Sequence, residues 1–328
     1  MYLASDKRYT KMKYLSSGNT GLLLPRVSLG LWHNFGSVDN FENIKNMCFT
    51  AFDNGVTHFD LANNYGPEPG SAEINFGRVL KEDMSAYRDQ MVISTKAGYY
   101  MWEGPYGDGG SRKYLISSLD QSLTRLRLDY VDIFYHHRMT PDTPLEETME
   151  ALAQIVRSGK ALYVGLSNYD GETMKRASAI LDSLHVPFII NQNRYNIFDR
   201  APERNGLLSA AAEHKKGVIC FSPLAQGVLT NRYLNGIPAD SRAARNHFLK
   251  ESSITERRIE QVRALDKIAA KRGQTLAQMA LSWVLNNDTV TSVLIGASSP
   301  EQILDSLKCI EATDFTEEQL REIDSISL

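Results

Sequence analysis

Residues 130–168, YVDIFYHHRMTPDTPLEETMEALAQIVRSGKALYVGLSN, contain one complete structural unit. YVDIFY (130–135) is an apolar, aromatic and β-branched run of strand length. Thr143-Pro144 followed by Glu146 and Glu147 opens an amphipathic pattern over 145–158. Gly159 falls where a helix would end, and ALYVGL (161–166) is the next apolar run. Strand, helix, strand in that order implies parallel strands joined by a crossover helix.

Working outward, the unit recurs. Apolar runs at 27–31 (VSLGL), 56–61 (VTHFDL), 91–95 (MVIST), 187–192 (PFIINQ), 217–222 (GVICFS) and 291–296 (TSVLIG) raise the count to eight. Amphipathic patterns near 41–54, 71–83, 113–127, 171–184, 204–215, 256–272, 275–286 and 300–310 lie between or after them. Asp170 is placed to cap one helix, and Gly55 and Gly217 fit C′ positions. Eight units favour an α/β fold of the (β/α)8 barrel type over an open doubly wound sheet. SLGLWHNFG, at the first βα turn, lacks the glycine spacing of a dinucleotide-binding Rossmann unit. MKYLSSGNTGLLLPRV reads as an N-terminal β-hairpin around Gly18-Asn19 that plugs the barrel bottom, and an extra C-terminal helix completes the expected fold. The whole chain, 1–328, is expected to form one domain.

Composition narrows the function. The 36 Lys+Arg against 39 Asp+Glu give a net charge of −3, which offers nucleic acid no electrostatic footprint. Hydrophobic residues make up 42% and charged residues 23%, as in a globular protein with a full core. Cys48, Cys220 and Cys309 have no disulfide or zinc spacing, so no metal is expected. MYLASDKRYTKMKYL lacks a signal-peptide core, and no apolar stretch reaches membrane-spanning length. The expectation is a cytoplasmic protein acting on a small molecule.

The strand ends carry the chemistry. Barrel sites gather at the carboxyl ends of strands, and here those ends read Trp32, Asp60, Lys96, His137, Ser167-Asn168, Gln192, Phe221-Ser222 and Gly296-Ser298. A lysine at a barrel mouth needs a partner, and Asp60 on the preceding strand supplies one. Tyr65 lies on the loop just after Asp60, close enough to fold over the lysine. A free phenol has a pKa of about 10; a nearby Lys96 ammonium is expected to lower it and make Tyr65 a proton donor to a carbonyl oxygen. His137 is expected to face the site and His136 to point away, by strand alternation. Reduction also needs a hydride source. Ser167, Asn168 and Gln192 suit a nicotinamide carboxamide, Phe221 offers it a stacking face, and Arg232, Arg242 and the helix start IGASSPEQI suit phosphates. Two long connections, 98–112 and 223–255, are expected to be functional. The first carries Tyr99, Tyr100, Trp102 and Tyr106 as a mobile aromatic wall, with Arg112 nearby for a phosphorylated substrate.

FDLANNYGPEPGSAE, STKAGYYMW, DYVDIFYHHR, GKALYVGLSNY, FSPLAQGVLTNRYLNGIP and SVLIGASSPEQI together resemble the aldo-keto reductase family. Within it they are most similar to the branch holding bacterial L-glyceraldehyde 3-phosphate reductases and potassium-channel β-subunits. The resemblance implies NADPH-dependent reduction of small aldehydes such as L-glyceraldehyde 3-phosphate or methylglyoxal. It implies a tetrad of Asp60, Tyr65, Lys96 and His137, with Trp32, Tyr65, Trp102 and His137 toward substrate. It places Trp32, Asp60, Ser167, Asn168, Gln192 and Phe221 at the nicotinamide end of the cofactor. Ser222, Leu224, Gln226 and Gly227 follow along ribose and pyrophosphate, and Arg232 and Arg242 meet the 2′-phosphate. Gly296, Ser298, Gln302 and Asp305 meet adenine, while Ser306 departs from the asparagine usual in relatives. A homo-oligomer is implied as well. Two other readings stay open: an NADPH-binding accessory subunit with slow turnover, and a Schiff-base lyase using Lys96.

Overall fold

The computed structural model describes residues 2–239, 241–245 and 249–327. Parts of the long 223–255 connection, at 240 and 246–248, therefore lie outside the described residues. Two short strands, β1 (Tyr14–Ser16) and β2 (Leu23–Pro25), pair antiparallel. Eight more follow: β3 (Val27–Gly30), β4 (His58–Asp60), β5 (Val92–Ala97), β6 (Val131–His136), β7 (Ala161–Ser167), β8 (Phe188–Arg194), β9 (Gly217–Phe221) and β10 (Val290–Ile295). All eight are parallel and close into a barrel, β10 pairing with both β9 and β3.

Helices α1 (Phe41–Asp53), α2 (Ser71–Val79), α3 (Arg112–Leu126), α4 (Leu145–Arg157) and α5 (Gly171–Ser183) alternate with the strands in sequence. The second half adds α6 (Ala201–Arg204), α7 (Leu207–Glu213), α8 (Arg242–Arg245), α9 (Glu256–Lys271), α10 (Leu276–Leu285), α11 (Pro300–Leu307) and the C-terminal α12 (Glu317–Ser327). The (β/α)8 barrel expected from the eight apolar runs is the fold observed. Asp170 caps α5 by accepting from the Thr173 amide. Helix α4 starts behind Pro144 with Glu146 and Glu147 in its first turn, although no side chain caps it. No helix among the described residues is long and apolar enough to cross a membrane.

One glycine assignment needs correction. Gly55 and Gly159 do adopt the left-handed conformation after their helices. Before β9, however, Lys215 takes that role with φ 52°, and Gly217 is already the first strand residue. Gly217 is needed for space: a Cβ there would lie 2.7 Å from Ser17 Oγ and 2.9 Å from Thr291 Oγ1.

Strand alternation divides the core in two. A shell of apolar residues fills the space between strands and helices. A smaller cluster fills the lumen, including Ile133, Tyr135, Ile190, Ile219 and Leu294. Leu24 of the hairpin belongs to this lumen cluster and is fully buried. Ser17 Oγ also donates to the Ile189 carbonyl at 3.1 Å. The hairpin thus closes the bottom of the barrel, as its sequence suggested.

Truncating this plug should leave a cavity that the closed barrel cannot collapse. Leu24→Ala is expected to lower unfolding free energy by about 2–5 kcal/mol, measured by urea denaturation. A change below a few tenths would show that the hairpin is not part of the core.

Candidate active site

Register and alternation converge on one end of the lumen. Asp60 pairs with Ser94 across β4–β5, and Lys96 lies two residues further along β5 on the same face. Lys96 Nζ contacts Asp60 Oδ2 at 2.6 Å, with both side chains essentially excluded from solvent at 0% and 1% exposure. The ammonium also donates to the Leu61 carbonyl, and it reaches Tyr65 Oη at 3.3 Å. Asp60 Oδ1 accepts from Ser94 Oγ at 2.7 Å and from Gln192 Nε2 at 3.1 Å. The ion pair therefore has a surrounding set of hydrogen bonds, without which its desolvation would go uncompensated.

Tyr65 is half-buried beneath Trp32, their ring centroids 6.0 Å apart. His137 stands edge-on to Tyr65 at 6.0 Å and to Tyr99 at 4.6 Å. Its Nδ1 is buried without a protein partner. His136, by contrast, turns outward and bonds Tyr169 Oη through Nδ1 at 2.7 Å. The two neighbours thus face opposite sides of β6, as strand alternation requires.

The charges have clear directions. Burial pushes the Lys96 ammonium below its ordinary value, opposed by the Asp60 carboxylate. Burial pushes His137 well below the ordinary imidazole value, with Lys96, His136 and Arg138 adding to it. His137 is therefore neutral near pH 7 and can donate a hydrogen bond without carrying charge. Tyr65 corrects the expectation of a lowered phenol. Burial first, then Asp60 and Tyr99, hold it well above its ordinary value. The phenol rests protonated, and the adjacent ammonium becomes important once the proton has left.

The ends of the remaining strands carry further polar and aromatic side chains beside this cluster. Ser167 is buried at the end of β7, and Asn168, with φ 60°, donates to the His137 carbonyl at 2.9 Å and to Ser167 Oγ at 3.1 Å. Phe221 ends β9, followed by left-handed Ser222, Ala225 and Gln226 with φ of 52°, 48° and 62°, and then by Gly227 at 97°. Left-handed non-glycine residues cost conformational energy that the fold must offset, and here the Ala225 and Gly227 amides bond the Ser222 and Leu224 carbonyls within the turn. Leu224 is half-buried in the same turn. Arg242 Nη1 donates to Gln226 Oε1 at 3.2 Å, and a Cβ on exposed Gly296 would come 4.0 Å from Arg242 Nη2. A basic side chain and the N-terminal end of α11 thus lie near each other on this rim.

The remaining predicted residues fare unevenly. Arg232 is exposed on the Asn231–Tyr233 turn. The Ser298 amide donates to Gln302 Oε1 at 2.9 Å at the start of α11. Asp305 accepts from Gln278 Nε2 at 2.7 Å, which ties α11 to α10. Ser306 is buried. Trp102 lies over Tyr114, centroids 5.2 Å apart, and Tyr114 Oη accepts from Asn63 Nδ2 at 3.1 Å.

The aromatic loop is tied down rather than free. The Met101 amide donates to the Gly107 carbonyl, and Arg138 Nη2 donates to Asp108 at 2.8 Å. Arg112 turns away from the mouth to Glu150 at 2.6 Å and Gln154 at 2.9 Å, so it is not the basic group facing a substrate. Arg138 is nearer, its guanidinium 4.7 Å from the Tyr99 ring.

Three groups were missed in the sequence. Ser94 contacts the cluster directly, yet a serine in a strand carries no distinguishing signal; Tyr99, expected only as part of the aromatic wall, packs against His137 itself. Glu73 is fully buried, accepting from Thr95 Oγ1 at 2.5 Å and pairing with Arg125 at 2.7 Å. A glutamate on the buried side of α2 could have marked that brace. His58, two residues before Asp60, shares its lumen-facing parity and was also overlooked.

A parallel eight-stranded barrel with Asp, Lys, Tyr and His at its mouth defines a class that the family comparison bears out. Residues 26–328 match the aldo/keto reductase family, and the chain belongs to it. It is 52% identical to the L-glyceraldehyde 3-phosphate reductase of Escherichia coli K12 over 99% of this chain and 95% of that protein. It is 35% identical to a probable voltage-gated potassium channel subunit beta of Oryza sativa, covering 92% of each. The corresponding Arabidopsis thaliana protein is 36% identical over the same share. The chain is thus an oxidoreductase of the aldo-keto reductase type.

Burial of neutral histidines makes stability acid-sensitive. An unfolded imidazole titrates near 6.5, whereas His58 is lowered to about 4 and His136 to about 3 by burial. Because the folded values are depressed, this stability is fully present above the unfolded value and is lost as pH falls toward the folded ones. Tm should therefore drop steeply from about pH 6.5 downward, with His136→Asn flattening the fall in calorimetry. An unchanged slope in that variant would remove His136 from the explanation.

Proposed function

We propose that this chain reduces small aldehydes to alcohols with NADPH, using Tyr65 as the proton donor. The observation carrying the proposal is the contact of Lys96 Nζ with Tyr65 Oη at 3.3 Å while the same ammonium is paired with buried Asp60. NADPH, when bound, supplies the hydride that reaches the carbonyl carbon. Tyr65 gives its proton to the carbonyl oxygen, so hydride plus proton convert aldehyde to alcohol. Lys96 stabilises the phenolate left behind, and Asp60 keeps the ammonium charged and in place. Neutral His137 donates a hydrogen bond that orients the carbonyl oxygen. Trp32 and Trp102 form apolar sides that hold the aldehyde near Tyr65 and limit water.

Residues along the β7–β10 ends carry the rest of the reading. Ser167, Asn168 and Gln192 would hold the carboxamide, Phe221 the nicotinamide face, and the Ser222–Gly227 turn the phosphates. Arg242 and Arg232 would meet the 2′-phosphate, with Gly296, Ser298, Gln302 and Asp305 at the adenine end. The stronger similarity to an L-glyceraldehyde 3-phosphate reductase than to channel β-subunits favours catalysis over an accessory role and short phosphorylated aldehydes as substrates.

Tyr65→Phe should lower kcat by about 10²–10⁴-fold while NADPH still quenches protein fluorescence as in the parent. Retained turnover on L-glyceraldehyde 3-phosphate, methylglyoxal and longer aldehydes, followed by NADPH absorbance, would refute the assignment. Arg242→Glu should weaken NADPH binding by more than tenfold, or above about 1.4 kcal/mol, and leave NADH nearly unaffected. Equal losses for the two cofactors would exclude a 2′-phosphate contact.

A further inference from the structure

Below the tetrad, a line of polar groups runs through the otherwise apolar lumen. Ser292 Oγ and Ser28 Oγ are 2.7 Å apart, and Ser28 Oγ is 2.9 Å from His58 Nδ1. His58 Nε2 is 2.9 Å from Ser94 Oγ, which bonds Asp60 Oδ1 at 2.7 Å. All five side chains are at most 1% exposed. Buried polar groups of this kind are costly unless each hydrogen bond is made, so their proton positions must be mutually consistent.

The ion pair sets the direction of the whole line. Asp60, ionised opposite Lys96, can only accept. Ser94 must therefore spend its proton on Asp60, which leaves its oxygen to accept from His58. That requires the proton of neutral His58 to sit on Nε2, with Nδ1 as an acceptor. Ser28 then donates to Nδ1 and accepts from Ser292. Every hydrogen bond in the line points at the carboxylate.

We infer that His58 is a positioning residue for the reaction, its Nε2–H fixing the Ser94 hydroxyl that orients Asp60 and, through it, Lys96 beneath Tyr65. This rests on the proposed role of Tyr65, but the tautomer itself does not. Other charged groups facing His58 are Asp60, which favours its protonation, and Lys96, which opposes it. Burial outweighs the carboxylate and keeps the ring neutral. A neutral ring can act as a fixed relay of orientation without placing a second positive charge beside the ammonium.

Nitrogen-15 NMR of histidine-labelled protein, with His58 assigned by comparison with a His58→Gln sample, tests the line directly. The expected result is an Nε2–H tautomer that persists between about pH 5 and pH 9. An Nδ1–H tautomer, or protonation within that window, would overturn the inference whatever the chain catalyses. The positioning role is read from kinetics. Ser94→Ala and His58→Leu should each lower kcat by about tenfold or more, shift the pH profile of kcat, and leave KM and NADPH affinity close to the parent. His58→Gln, which retains an amide donor toward Ser94, should recover part of the loss. A lowered Tm with kcat and its pH profile unchanged in Ser94→Ala would reduce His58 to a packing role. If the parent reduces no aldehyde but shows the expected tautomer, the proposed function fails while the hydrogen-bond line stands.

Discussion

The structure is organised around an ammonium and a carboxylate that water cannot reach. Lys96 and Asp60 lie 2.6 Å apart inside a protein lumen, where burying either charge alone would cost several kcal/mol. The fold meets that cost by surrounding the pair. The Leu61 carbonyl takes a second ammonium proton, while Ser94 and Gln192 complete one oxygen of the carboxylate. Tyr135, fully buried below, puts its ring 5.7 Å from the ammonium. Gly165 on β7 makes room for that ring, since a Cβ there would lie 2.3 Å from it. Replacing the pair with apolar side chains could stabilise such a core. Its presence is better explained by the tyrosine above it than by stability.

The same pair shows why so much of the site could be read from the chain. In a parallel barrel, alternation fixes which residues face the lumen. Trp32, Asp60, Lys96, His137, Ser167, Gln192, Phe221 and Gly296 all sit at or just past strand ends with lumen-facing parity. The residues that close the apolar runs therefore form a three-dimensional ring. Strand positions shifted by only a residue or two, and a shift of one along a strand changes a boundary without changing the parity of its members.

What was not legible lay outside that parity rule or below the chosen layer. Proximity in sequence to an aromatic loop suggests a substrate-facing Arg112, but as the first residue of α3 its side chain is drawn to Glu150 and Gln154 on α4. The place of Gly217 between helix and strand suggests a C′ glycine, whereas Lys215 takes the left-handed turn two residues earlier. A neighbouring Lys96 ammonium predicts a lowered proton affinity for the Tyr65 phenol. In the folded protein, burial contributes more, and its sign is opposite. His58 obeyed the parity rule but was one layer deeper, where an apolar reading of the strand VTHFDL concealed it.

Tyr65 itself lies on no strand, and the geometry gives a reason. β4 ends at Asp60, so a phenol five residues further on reaches the ammonium from the rim loop. Its backbone is held at both ends: the Tyr65 amide donates to the Ala62 carbonyl, and the Tyr65 carbonyl accepts from the Ala72 amide at the start of α2. Between those anchors Gly66 turns with φ 99°, where a Cβ would meet Ser71 Oγ at 2.0 Å. A flexible loop would let the phenol drift from an ammonium only 3.3 Å away, and even about 1 Å of drift can matter for a reacting group. The glycine turn and the two backbone bonds give a loop residue the positional definition of a strand residue. A rigid pair below and a tethered phenol above are thus two parts of a single constraint.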